Sequence, residues 1–279
     1  MPQGTAMAEY GDDIVVTGPT GTRTLSGEAA RPSGDLLAAS DGRTPLSEVV
    51  PTIGDEATTL AVAERLVAAG LLYPVERLSA FDVDDVHRSL LEGLLLELDA
   101  DRRPGFADRV QSLTVGRYGD AATTERLGES LAALGCTTSE TDPDVVVFVE
   151  SDAAADRQTV NRAWLDSEAT LVRAAVHGPE VEIGPVLSPS SESCLACLTT
   201  REELNDAGQQ LSYRALNPAS TYETAFCSHV LTQLALRAGL GRLPPELVGR
   251  LVRLDLRTLD YSDARLFGVP GCEACDGGS

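Results

Sequence analysis

The chain runs to 279 residues, enough for one large or two ordinary domains with real cores. Its 43 acidic residues outweigh 22 basic ones, all of them arginine, and the net charge is −21. That balance argues against broad binding to a phosphate backbone, and the missing lysine excludes Schiff-base chemistry and lysine-dependent phosphate loops. The acids are scattered rather than gathered into a tail, a pattern that reads as halophilic solvation in high salt. No apolar run reaches membrane-spanning length, and the N-terminus lacks a basic segment followed by a hydrophobic one. A cytoplasmic protein with no nucleic-acid or membrane partner is expected.

Residues 1–12 are small and polar and predict disorder. Ile14-Val15-Val16 and Arg23-Thr24-Leu25 read as two short strands around the turn Gly18-Pro19-Thr20-Gly21. A short helix over Ser33–Ala39 ends at Asp41-Gly42, and Pro45 to Val50 begins another. A third follows Asp55, with Leu60, Ala63 and Val67 on one face, and stops at Gly70 before Leu71-Leu72-Tyr73. Two strands followed by helices carrying "Leu-Leu-x-x-x-Asp-Gly" and "Leu-x-x-x-Gly-Leu-Leu" resemble the small PqqD-like winged-helix domain of peptide-modifying enzymes. The resemblance implies that a leader peptide adds as an extra strand to the sheet edge beside the last helix, by β-augmentation. Arg23, Leu25, Leu60, Glu64 and Val67 are the candidate peptide-binding residues. DNA binding is disfavoured, because the third helix pairs Glu64 with a single cation, Arg65, and has no basic stripe.

A domain boundary is expected over Pro74–Ser79. Ser79-Ala80-Phe81-Asp82 resembles a capping box and predicts a helix bearing Val83, Val86, Leu90, Leu94 and Leu98, stopped by Arg102-Arg103-Pro104-Gly105. From residue 112 strands and helices alternate: a strand over Ser112–Tyr118, a helix over Thr124–Leu134 with Leu127, Leu131 and Leu134 inward, and strands at Val145–Val149 and Leu171–Val176. Unbroken apolar strands in β-α-β order predict a parallel, Rossmann-like sheet. Its first turn, Val115-Gly116-Arg117-Tyr118-Gly119-Asp120, lacks the G-x-G-x-x-G spacing and puts Asp120 where phosphates would sit, so a degenerate nucleotide site is expected.

Gly184-Pro185-Val186-Leu187 reads as a strand leading to Cys194-Leu195-Ala196-Cys197. The S-x-x-E box Ser220-Thr221-Tyr222-Glu223 opens a long helix with Phe226, Val230, Leu234 and Ala238, closed by Gly239. A half-exposed strand follows over Leu251–Leu256, and Cys272-Glu273-Ala274-Cys275 comes near the end. Two Cys-x-x-Cys units can offer four thiolates to one ion, and soft sulfur in a tetrahedron suits Zn²⁺. Cys194, Cys197, Cys272 and Cys275 are therefore the predicted ligands. A closed four-thiolate site leaves no open position, so the zinc is read as structural. Two disulfides and redox-active pairs compete, and lose ground because the two units match and no secretory signal is seen. Residues 198–271 lie between the units, so the metal belongs to a domain and not to an autonomous ribbon.

"Ile-Gly-Pro-Val" before Cys-x-x-Cys, a long helix, a "Leu-Asp-Leu-x-Thr-Leu" strand and a terminal Cys-x-x-Cys together resemble a known family. It is the E1-like (ThiF-related) partner protein of YcaO cyclodehydratases in thiazole/oxazole-modified, bacteriocin-type peptide biosynthesis. The expected organisation is disorder over 1–12, a winged-helix peptide-recognition domain over 13–78, and a degenerate Rossmann-like E1/ThiF-type domain with a Cys₄ zinc site over 79–279. The resemblance implies a non-catalytic scaffold that captures a precursor leader peptide and presents it to a YcaO-type enzyme, which forms azolines with ATP. It also implies a homodimer. No ATP is expected on this chain. The alternative is an active E1-like enzyme adenylating a sulfur carrier or a peptide C-terminus; a winged-helix transcriptional regulator is a third reading that rests on fold analogy alone. Cys136 and Cys227, outside the knuckles, read as small buried hydrophobes rather than nucleophiles. His87, His177 and His229 lack partner acids and receive no catalytic role, and the lone Trp164 is expected in the second core.

Overall fold

A strand stands where disorder is expected near the N-terminus. In the computed structural model β1 (Ala6–Tyr10) pairs antiparallel with β2 (Asp13–Gly18), and β2 pairs with β3 (Gly21–Leu25). The backbone ladder, rather than side-chain burial, holds β1, because all five of its residues are exposed. Ala-Met-Ala-Glu-Tyr offers no apolar alternation, which is why composition misreads it. The structure describes residues 5–18, 21–40, 44–73, 78, 80–98, 103–150, 154–206 and 221–275. Pro19-Thr20, Asp41-Gly42, most of the expected boundary at 74–79 and the Ser220 cap lie outside the described residues.

Three helices follow the small sheet: α1 (Ala30–Ala39), α2 (Leu46–Ile53) and α3 (Glu56–Ala68). Asp55 caps α3 by accepting from the Thr58 amide at 2.9 Å. The buried face of α3 is Thr59, Val62, Ala63 and Leu66. Leu60, read on one face with Ala63 and Val67, is 40% exposed while Ala63 is buried, because the inward row is displaced along the helix from the one the sequence suggests. Ile14, Val16, Leu36, Leu37, Val49, Val62, Leu66 and Leu71 form the core of this α+β unit.

The next helix, α4 (Asp85–Glu97), starts later than its capping-box pattern suggests. Asp84 is its cap, accepting from the His87 amide at 2.9 Å. Val86 is consequently turned outward at 57% exposure, while Leu90, Leu91, Leu94 and Leu95 are buried. By internal contacts the chain divides at Asp108/Arg109, so α4 and the start of α5 (Phe106–Gln111) group with the N-terminal unit and not with the second one. Two polar links accompany this grouping. The Tyr73 hydroxyl donates to Glu92 on α4 at 2.5 Å. Arg103 donates to Leu98 O at 3.1 Å and Val67 O at 3.0 Å, so one guanidinium serves the C-terminal ends of α4 and α3 together.

The second unit is built on a seven-stranded sheet. In chain order come β4 (Thr114–Gly119), α6 (Ala121–Ala133), β5 (Thr137–Thr138), β6 (Val145–Glu150), α7 (Ala154–Leu165), β7 (Thr170–His177), β8 (Glu180–Leu187), α8 (Leu195–Asp206), α9 (Thr221–Gly239), a 3₁₀ turn (Pro245–Leu247), β9 (Arg250–Asp255) and β10 (Tyr261–Arg265). The strand order is β10-β9-β8-β7-β6-β4-β5. β5, β4, β6 and β7 are parallel, as the apolar runs predict, and β8, β9 and β10 continue the sheet antiparallel. Residues 145–149 are buried on both faces, since α6 and α9 pack on one side and α7 on the other. Val146 and Phe148 face α7, Trp164 and the first knuckle. On α9 the buried stripe is Cys227, Leu231, Leu234 and Ala235, whereas Phe226, Val230 and Ala238 are only half-buried. The expected row was one residue out because Thr224, Ser228 and Thr232 are also buried, and a polar residue on the inner face hides the stripe. Thr232 resolves its hydroxyl by donating to Ser228 O at 2.8 Å.

Candidate functional site

The two knuckles meet. Among the described residues Cys194, Cys197, Cys272 and Cys275 form the one cluster able to hold a metal, with all four sulfurs within 4.8 Å of one another. The sulfur–sulfur separations are 3.9 Å for Cys194–Cys197, 3.8 Å for Cys194–Cys272 and 3.5 Å for Cys197–Cys275. A tetrahedron with metal–sulfur bonds of about 2.3 Å has sulfur–sulfur edges of about 3.8 Å. A disulfide needs about 2.05 Å, so none of the six cysteines is joined to another and the two-disulfide reading fails. The donor set fits a closed four-coordinate ion.

Each knuckle is delivered by ordinary local structure. Cys194 ends the loop after β8, and α8 begins at the next residue. Asn161 on α7 is 3% exposed and accepts from the Leu195 amide at 2.8 Å, fixing where α8 starts. The second knuckle sits on a turn closed by the Cys272 amide donating to Val269 O at 3.0 Å, and the Val269 amide in turn points at the Cys197 sulfur at 3.4 Å. Arg201 on α8 donates to Phe267 O and Gly268 O, lashing the C-terminal strap down. Gly268 is required there, because a Cβ would stand 2.4 Å from Glu192 O.

The turn after β4 shows why the glycine fingerprint is missing. Gly119 has φ +101°, and a Cβ there would lie 1.7 Å from Val149 O. Its neighbour Asp120 caps α6, accepting from the Thr123 amide at 2.9 Å and the Thr123 hydroxyl at 2.8 Å. The helix N-terminus, where a phosphate would bind, is therefore served by the chain's own carboxylate. Arg117 on β4 lies against α6, donating to Thr124 O at 2.5 Å over Gly128.

A cluster that sequence reasoning missed lies on the α7/α8 face of the sheet. Arg173, fully buried in β7, bonds Glu150 on β6, Glu182 on β8 and Gly184 O. Arg157 on α7 joins Glu150 to Glu202 on α8, and Arg253 on β9 donates to Glu182 at 2.6 Å. Three arginines and three glutamates thus alternate from Glu202 to Arg253, and both ends line an open groove of about 310 Å³ between α8 and β9–β10. Burial opposes the Glu182 charge, but Arg173 and Arg253 outweigh it and hold that carboxyl below its usual range. The readable signal was a charge inside an apolar strand, at Arg173 in Leu-Val-Arg-Ala-Ala-Val and at Glu182 in Val-Glu-Ile.

The remaining predicted residues divide clearly. Cys136 and Cys227 are buried, and burial pushes each thiol up to about 12, which removes them as nucleophiles. Trp164 is 2% exposed in the second core, its indole donating to Ala169 O at 2.8 Å. His177 and His229 are exposed, whereas His87, read as lacking a partner acid, has one in Asp84 at 2.8 Å, because one turn of α4 brings its ring back over the helix cap. On the first unit Arg23 is exposed on β3, Leu25 packs against the core, and β3 is an outer strand whose free edge meets no described strand. Leu60 and Glu64 are exposed one turn apart on α3, and Val67 is half-buried on the same core as Leu25. No helix among the described residues is long and apolar enough to cross a membrane.

The sequence matches no protein-family model and no curated protein sequence. Its fold, however, is found among solved structures. A heterocyclase in complex with substrate and cofactor aligns with TM-score 0.68 and 17% identity, over 97% of this chain and 38% of that one. The heterocyclase TruD aligns with TM-score 0.63 and 16% identity, over 97% and 42%. E. coli MccB with MccA aligns with TM-score 0.62 and 10% identity, over 99% and 98%. The chain spans about two fifths of the two heterocyclases and nearly the whole of MccB. At such identities the likeness establishes the fold: a small sheet-and-helix unit ahead of a mixed seven-stranded Rossmann-like sheet, the layout expected for the E1-like class.

Proposed function

We propose that this chain is a non-catalytic scaffold that binds a precursor leader peptide and presents it to a YcaO-type, ATP-dependent cyclodehydratase in bacteriocin-type peptide biosynthesis. The observation that carries the reading is Asp120. A fold shared with peptide-modifying heterocyclases and MccB keeps its strand–helix turn but fills the helix N-terminus with a carboxylate, and it has no lysine to replace. Such a body can hold partners but is poorly built to bind nucleotide phosphates. The four cysteines hold a structural Zn²⁺ that ties the C-terminal strap to α8. The leader adds to the open edge of β3, with Arg23 and Leu25 on that strand and Leu60, Glu64 and Val67 along α3. The acid surplus fits a cytoplasm of high salt.

The test is mass spectrometry of what co-purifies with the tagged full chain from its own host, followed by direct binding to any YcaO-type enzyme and precursor peptide recovered. Leader affinity should fall on Leu60→Asp and on Arg23→Glu, and loss of all binding to both partners in the wild type would end this reading. The rival, an active adenylating enzyme, draws on MccB, which has been seen with ATP and aligns end to end with this chain. ATP–pyrophosphate exchange by the purified protein would establish the rival, and its absence together with partner binding would exclude it.

A further inference from the structure

The open groove of about 310 Å³ between α8 and β9–β10 joins leucines to arginines. Leu198, Leu251 and Leu266 line it and are themselves buried. Three arginines line it too, and each keeps N–H groups for which no described residue is an acceptor. Arg253 gives its Nε to Glu182 at 2.6 Å, which leaves both terminal nitrogens. Arg201 gives Nε to Phe267 O and Nη2 to Gly268 O, which leaves Nη1. Arg265 lies over the Phe267 ring at 5.9 Å and has no ion pair among the described residues. The two acids in the lining are engaged from outside it, Glu202 by Arg157 on α7 and Asp263 by Arg250 on β9. In a chain of net charge −21, this groove holds donors in excess of acceptors.

We propose that this groove binds an acidic peptide segment of a partner protein. An Asp or Glu carboxylate meets the arginines, and a neighbouring aliphatic side chain lies on the leucines. Planar guanidinium forks match carboxylates and phosphates alike. Glu202 and Asp263 decide between the two, because they repel a phosphate of nearly double charge more than a carboxylate. The leucines decide between a peptide and a free metabolite, since a small dicarboxylate has no apolar side chain to set on them. Length agrees. Leu198 and Asn205 stand two turns apart on α8, about 10.5 Å at about 1.5 Å per residue. An extended chain rises about 3.3 Å per residue, so about three residues span that distance. Arg253 is already fixed by Glu182, whose side chain is 3% exposed, so little of its freedom is lost on binding. This site goes beyond the scaffold reading and does not depend on it.

Fluorescence anisotropy of dansyl-labelled probe peptides on the full chain tests the proposal. The probes are Leu-Asp-Leu-Asp-Leu and its neutral isostere Leu-Asn-Leu-Asn-Leu, both amidated at the C-terminus. The acidic probe should bind at least about tenfold more tightly than the isostere, and less tightly as salt is raised. Asn205 and Ser262 line the groove and their side chains make no hydrogen bond among the described residues, so they can be changed without removing support. Asn205→Glu and Ser262→Glu should each weaken the acidic probe by about tenfold, and Asn205→Arg should tighten it. Unlabelled succinate should compete far more weakly than unlabelled acidic peptide. Equal binding of the two probes, or no binding of the acidic one by about 1 mM, overturns the proposal. So does indifference to Asn205→Glu and Ser262→Glu in protein shown by circular dichroism to be folded. Competition by succinate as strong as by the peptide would assign the groove to a free dicarboxylate and overturn the peptide.

Discussion

Removing the Arg173 guanidinium tests most directly how the second unit is held together. Arg173→Met keeps an unbranched apolar side chain and deletes the cation between Glu150 and Glu182. The Glu182 side chain is 3% exposed and would be left with Arg253, itself half-exposed. Breaking a buried pair from one side costs about 3–5 kcal/mol, because the abandoned charge stays in a poor solvent for it. Trp164 is the single tryptophan and lies in the second unit's core, so its fluorescence in a urea titration reports that unit alone. With a slope of about 2 kcal/mol/M, the midpoint should fall by about 1.5–2.5 M. The pH dependence has a definite sign. In the wild type the Glu182 carboxyl is held low, so its contribution is present above the unfolded value, 4.5, and is lost as pH falls through the folded one. In Arg173→Met burial dominates and the carboxyl is raised instead, so the penalty is full at neutral pH and relieved in acid. The gap between wild type and variant should therefore narrow towards pH 4. Arg173→Met with Glu182→Gln should be more stable than Arg173→Met alone, since the orphaned charge is gone. A neutral-pH cost below about 1 kcal/mol, or strictly additive effects of the two substitutions, would refute the reasoning.

The other expectations concern the metal, the turns and the first unit. If the four cysteines hold Zn²⁺ as proposed, Cys197→Ser should abolish its binding, measured by a colorimetric chelator, and lower the Trp164 unfolding midpoint, whereas Cys136→Ala and Cys227→Ala should keep the metal. In native protein Cys136 and Cys227 should resist thiol reagents, given thiols pushed up to about 12. Gly119→Ala should cost about 3 kcal/mol or more by the same urea assay, because its Cβ collides with Val149 O at a left-handed φ. Arg103→Lys should loosen α3 and α4 by about 2 kcal/mol in hydrogen exchange, since an ammonium cannot span Leu98 O and Val67 O as the planar fork does.

Spacing along the chain was sufficient to bring the four cysteines together. Each Cys-x-x-Cys turn presents its thiols to one point, and the intervening residues 198–271 need only return the chain. It was sufficient too for the parallel strands, since a strand covered on both faces must be apolar throughout, as Val145–Val149 are. Asp120 was legible as an obstacle in the phosphate turn, and the structure adds that it is the cap of α6. What the sequence could not carry were features made by backbone pairing or by charges distant in the chain. β1 exists because β2 offers it a ladder, not because its side chains are buried. Residues from 150 to 253 supply the six-charge cluster, so no local window contains it, and only packing decides that Glu150, Arg173 and Glu182 neutralise one another. The inward faces of α3 and α9 were likewise settled by what they pack against, because polar residues such as Thr59 and Thr232 are buried and break the apolar period. Local chemistry chose the elements and the ligands; the partners of each face and each buried charge exist only once the chain has closed.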